Sequence, residues 1–151
     1  MKKILFTKNL ALFGTLLVWI PILLPIVISL ISVISGKSFN FDFLMPAELF
    51  LVILPGAVLL IVTSFLVKSN RTPILISSGI ALLSLIAGPL IAVMTGLASG
   101  ETEPTGSAYL IVTAIIGVYN FSVIALGISG ISLVRKINMM LAEENKPKIE
   151  D

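Results

Sequence analysis

Four stretches of this chain carry no charged side chain: residues 9–36, 49–67, 72–100 and 104–134. A bilayer core about 30 Å thick is crossed by roughly 20 helical residues. Each stretch meets that length or comes close to it. Helices that are apolar on every side belong in lipid or deep inside a large core. A chain of 151 residues cannot wrap four such helices in a core of its own. The spacing therefore predicts an all-α integral membrane protein with four transmembrane helices in an antiparallel bundle. The helices are expected over about 10–35, 47–67, 73–97 and 108–134. Residues 1–151 form one four-span membrane domain in this reading, and residues 135–151 form a short charged tail. Composition agrees: 57% of residues are hydrophobic and 12% are charged, against about 25% charged in soluble domains.

The basic residues set the orientation. Lys2, Lys3 and Lys8 precede the first span, and Lys68 and Arg71 lie in the turn after the second. Arg135, Lys136, Lys146 and Lys148 follow the fourth. The other two loops hold only Lys37. Cytoplasmic loops are enriched in Lys and Arg, so both termini and the 68–72 turn are expected in the cytoplasm. Asp42, Glu48, Glu101 and Glu103 fall on the other side. The start "MKKILFTKNLALF" is similar to that of a secretory signal peptide. Its apolar run is longer than the 7–15 residues of such a segment and contains Pro21 and Pro25. It is read as a retained span. The "MKK" start and short loops suit a bacterial plasma membrane.

Several chemistries fall away. Cysteine and histidine are both absent, which removes thiol catalysis, thiolate metal sites and the usual general base near neutral pH. No Asp, Glu, Lys or Arg lies inside a span, so coupling to an intramembrane carboxylate is disfavoured. The spans hold serines but no base at their depth. Neither an enzyme nor a cofactor or metal site is expected. The net charge of +2 gives no reason to expect nucleic acid as a partner.

The remaining features are surfaces. Phe39, Phe41 and Phe43 alternate with polar residues in the first outer loop. They suit an interfacial anchor or a docking edge for an outer partner. On the third helix, Ser77, Ala81, Ser84, Gly88, Ala92, Thr95 and Ser99 recur at spacings of three and four. Small faces of that kind let helices pack closely in lipid. The fourth helix carries two such stripes. One is Ser122, Ala125, Ser129 and Ser132, and the other is Thr113, Gly117, Asn120 and Gly127. One stripe is expected to pack internally and the other to meet a second protein or a second copy. Asn120 is the only carboxamide deep in a span. It reads as a polar tie between helices, with Tyr119 on the neighbouring face, or as a residue lining a cavity. Pro21, Pro25, Pro55 and Pro89 each remove a backbone donor within a span and are candidate kinks or hinges. Gly56, beside Pro55, is expected to admit another helix at close range.

These observations favour a non-enzymatic accessory, regulatory or immunity-type subunit that works through helix faces and outer loops. Its expected partners are the lipid bilayer and another membrane protein or a homo-oligomer. The other reading is an oligomeric pore or transporter for uncharged or apolar cargo.

Overall fold

The computed structural model describes residues 2–35, 50–100 and 106–144. Four helices occupy almost all of them: α1 (Lys2–Ile34), α2 (Phe50–Val67), α3 (Arg71–Met94) and α4 (Ser107–Glu144). There is no strand among the described residues. All four helices are long and apolar enough to cross a membrane.

Two helices run beyond the charge-free stretches. α1 begins at Lys2 rather than near residue 10, and α4 continues through Arg135 and Lys136 to Glu144. The reason is physical. A lysine or arginine ends immersion in lipid, but it is a good helix former and does not end the helix. Similarly, Pro73 lies in the first turn of α3 and does not delay its start, because the first-turn N–H groups have no intrahelical acceptor anyway. Pro55 and Pro89 lie within continuous helices, as do Pro21 and Pro25.

α3 packs chiefly on α4, and α2 chiefly on α1. α1 and α4 join the two pairs, while the consecutive helices α2 and α3 touch little. The core is made of Val18, Ile53, Leu60, Ile74, Leu126, Leu133 and their neighbours. Close approach depends on glycine at a few places. A Cβ on Gly56 would fall 2.9 Å from Leu17 Cβ and 3.0 Å from the Gly14 carbonyl oxygen. A Cβ on Gly130 would meet Thr15 Oγ1 at 2.7 Å, and one on Gly127 would meet the Trp19 indole at 3.0 Å. Thus α1 lies against α2 at Gly14–Gly56 and against α4 at Gly127 and Gly130.

Four interior hydroxyls are satisfied locally. Thr15 donates to the Ala11 carbonyl, Thr63 to Leu59, Ser64 to Ile61 and Ser122 to Val118, each at 2.7 Å. Each bond runs back to the carbonyl three or four residues earlier, so none of these groups depends on a neighbouring helix. Large apolar side chains face outward all round the molecule, among them Phe13, Leu51, Leu83 and Phe121. Only 24–28% of each apolar window is buried. An outer surface of this kind is suited to lipid rather than water.

Candidate functional site

A gap lies between α2 and α3. It forms an almost wholly apolar groove of about 320 Å³. Leu54, Ala57 and Val58 line one wall, Leu75 and Leu82 the other, and the fully buried Leu126 of α4 lies at its base. Small side chains hold it open. Nothing lies within 4 Å of where a Cβ on Gly79 would be. Ser78 also lines the groove, and its Oγ is buried without a hydrogen-bond partner. In that respect it differs from Thr15, Thr63, Ser64 and Ser122, which bond back to their own helices. A buried hydroxyl left unpaired costs about 1–3 kcal/mol.

One end of this groove is tied by a short polar turn. Ser69 N–H donates to the Ser64 carbonyl and Lys68 N–H to that of Phe65, which ends α2 in a Schellman motif. Lys68 takes the left-handed position at φ 55°, where glycine is usual, and Asn70 repeats it at φ 54°. Asn70 then reaches α4 twice. Its Nδ2 donates to the Ser129 carbonyl at 3.4 Å, and its Oδ1 accepts from Lys136 Nζ at 3.0 Å. Arg71 turns back to the last carbonyls of α2, at 3.5 Å from that of Ser64 and 3.1 Å from that of Phe65. Its guanidinium stands 4.9 Å over the Phe65 ring, within the range of a cation–π contact.

The residues singled out in the sequence are distributed as follows. Ser84 and Gly88 are buried on α3, and a Cβ on Gly88 would lie 3.5 Å from Ile115 of α4. Tyr119 is buried in the core. Asn120 is half-buried, and its Nδ2 donates to the Ile116 carbonyl of its own helix at 3.1 Å. The structure therefore gives it a bond within α4 rather than a bond across to another helix. The two stripes of α4 do not act as units. Ser122 is buried but Ala125 is exposed; Gly127 is buried under Trp19 but Gly117 has open space beside it. Phe39, Phe41 and Phe43 lie outside the described residues.

Sequence reading passed over three residues that the fold uses. Ser78 lies one position from the small-residue stripe of α3. Asn70 carried one legible signal, since asparagine tolerates the left-handed region in turns. Trp19 carried none, because its role depends on the glycine it meets on α4. Its Nε1 is also buried without a partner. Among the described residues, no acid, base or nucleophile pair is brought to one place. The fold offers instead an apolar slot. No family model, curated protein or solved structure matches this chain.

Proposed function

We propose that this chain is a multi-pass membrane protein of a bacterial plasma membrane, built as a single four-span domain. It acts as an accessory or regulatory subunit by docking against membrane protein, and it catalyses no reaction. An up-and-down arrangement with both termini cytoplasmic accounts for nine basic residues on one side and one on the other. Two contacts favour antiparallel neighbours: α3 meets α4 near its start, Asn70 to Ser129, and near its end, Gly88 to Ile115. The observation that carries the docking role is the α2–α3 groove. Its walls carry bulky apolar side chains such as Phe50, Leu54 and Leu82, and Ala57, Gly79 and Ala81 leave a slot between them. Transmembrane helices associate through close packing, and the groove offers an apolar surface for it.

Two measurements test this. Cysteines introduced at Asn138 and Thr102, in a chain with none of its own, report topology. The Thr102→Cys protein is expected to react with an impermeant thiol reagent in intact cells, and the Asn138→Cys protein only after permeabilisation. Purification in mild detergent is expected to give a stoichiometric complex that leaves dye-loaded liposomes tight. A monomer in mild detergent, or an oligomer that releases the dye, would remove the reading.

A further inference from the structure

We propose that the turn joining α2 and α3, together with Lys136 of α4, binds the head group of an anionic phospholipid. The inference rests on the membrane reading above, which puts this turn among the head groups of the cytoplasmic leaflet.

Three cations, Lys68, Arg71 and Lys136, meet here, and hydrogen bonds hold them together. The Phe65 carbonyl accepts from Arg71 Nη2 at 3.1 Å and from the Lys68 N–H at 3.4 Å, so the guanidinium lies beside the Lys68 backbone. Asn70, between them in sequence, accepts from Lys136 Nζ at 3.0 Å and so draws the third charge in from α4. Like charges gathered in this way repel one another. Their hydrogen-bond acceptors are neutral: two backbone carbonyls for Arg71 and a carboxamide for Lys136. The carboxylates among the described residues are Glu143 and Glu144. Both lie further along α4 than Lys136, by about 10 Å or more. The described part of the chain therefore leaves the charge of the turn unbalanced. The cations are also accessible. Lys68 and Lys136 are exposed, and the Arg71–Phe65 and Lys136–Asn70 contacts are at the surface. A guanidinium has five donors and an ammonium three, so both residues have donors to spare.

Lys68 is the second observation. It holds the left-handed position that ends α2, where glycine is the usual residue. A topological signal needs only positive charge near the membrane. It needs neither a lysine at a glycine position nor Lys136 held against the turn. Residues in sparsely populated backbone conformations cluster at functional sites, and here the strained residue is one of the three cations.

The third observation selects a lipid over a soluble anion. Phe65 and Leu66 precede the turn, Leu75 and Ile76 follow it, and all four are exposed. Cations bordered by outward-facing apolar side chains fit a ligand that carries both a phosphate and acyl chains. Arginine offers phosphate a planar set of donors, and lysine adds a mobile point charge. Basic pockets between transmembrane helices on the cytoplasmic side hold phosphate head groups in this manner.

Retention of single lipids by the full chain in detergent, read by native mass spectrometry, tests the proposal. The probes are phosphatidylglycerol, zwitterionic phosphatidylcholine, and glycerol phosphate as a soluble head group. The parent should hold phosphatidylglycerol about tenfold or more tightly than phosphatidylcholine, and glycerol phosphate should not displace it. Lys68→Gly and Lys136→Gln should each weaken that retention about tenfold, the equivalent of the ~1.4 kcal/mol at the low end for a hydrogen bond to a charged group. Arg135→Gln removes the same charge about 100° around α4 from Lys136 and should change retention by less than about twofold. Lys68→Gly is the decisive variant, because glycine relieves the left-handed backbone. It should raise the stability of the protein while lowering its hold on the lipid, a pair of results that a damaged fold does not give. Four outcomes would overturn the proposal: equal retention of the two lipids, displacement by glycerol phosphate, full retention in both lysine variants, or a loss in Arg135→Gln as large as that in Lys136→Gln. Each is read on a chain that resists alkaline extraction from membranes. A chain that washes out overturns the membrane reading itself, so the two failures are distinguishable.

Discussion

Gly56→Ala is expected to destabilise the protein by about 1–2 kcal/mol, while Gly79→Ala, on the facing helix, leaves it unchanged or slightly more stable. The new methyl at 56 would lie 2.9 Å from Leu17 Cβ, 3.0 Å from the Gly14 carbonyl and 3.1 Å from Val18 Cγ2. Two of these atoms are held by the α1 backbone and cannot swing away. The helices must separate, and overpacking of this kind costs about 1–3 kcal/mol. Alanine's higher helix propensity returns up to about 1 kcal/mol. At Gly79 only the propensity gain operates, since no atom lies within 4 Å. Gly56→Leu extends the series. Its side chain has no space at the α1–α2 contact, and the expected loss is about 3 kcal/mol or more. Reversible unfolding in mixed micelles, followed by circular dichroism, measures all three. Equal stability of the Gly56→Ala and Gly79→Ala proteins would show that α1 and α2 do not meet at this point.

The contrast between these glycines marks the limit of what sequence conveys. The four helices are legible because charge is excluded from long stretches, a property of single residues that needs no partner. The proximity of a helix to Gly56 is also legible, since a glycine beside a proline in an apolar helix has few other uses. Which glycines face a neighbour is not legible. Gly117 and Gly127 belong to one apparent stripe, yet only Gly127 is covered. Positions seven residues apart drift by about 20° around a straight helix. Over Thr113, Asn120 and Gly127 that drift carries the stripe toward α1, where Trp19 covers its last member. Tyr119 and Asn120 are adjacent and polar, but about 100° separates them on the helix. The first turns into the core, and the second lies at its edge. The groove could not be foreseen from any one helix. It arises because α2 prefers α1 and α3 prefers α4, which leaves the shortest connection in the chain bridging the weakest contact between consecutive helices.

That connection is the second place where a single residue should matter greatly. Asn70→Val is expected to lower stability by about 3 kcal/mol, Asn70→Gly by about 1 kcal/mol, and Asn70→Asp by least. Asn70 combines two roles that the series separates. Its φ of 54° is left-handed, a conformation that costs an ordinary residue roughly 1–2 kcal/mol and a β-branched one more. Its side chain also joins the turn to α4 through Ser129 and Lys136, and a net hydrogen bond contributes about 1 kcal/mol. Glycine keeps the conformation but loses both bonds. Aspartate keeps the acceptor for Lys136 and adds opposite charge to the pair, while losing the donor to Ser129. Valine loses everything. Lys68→Gly supplies the opposite sign, because it relieves the left-handed strain at φ 55° in the Schellman position where glycine is preferred. Hydrogen exchange at the ends of α2 and α3 locates the effect. Faster exchange confined to this turn in the Asn70→Val protein, with Lys68→Gly slower than the parent, is the expected pattern. If instead Asn70→Gly is as damaging as Asn70→Val, backbone strain contributes nothing, and the turn is held by its bonds to α4 alone.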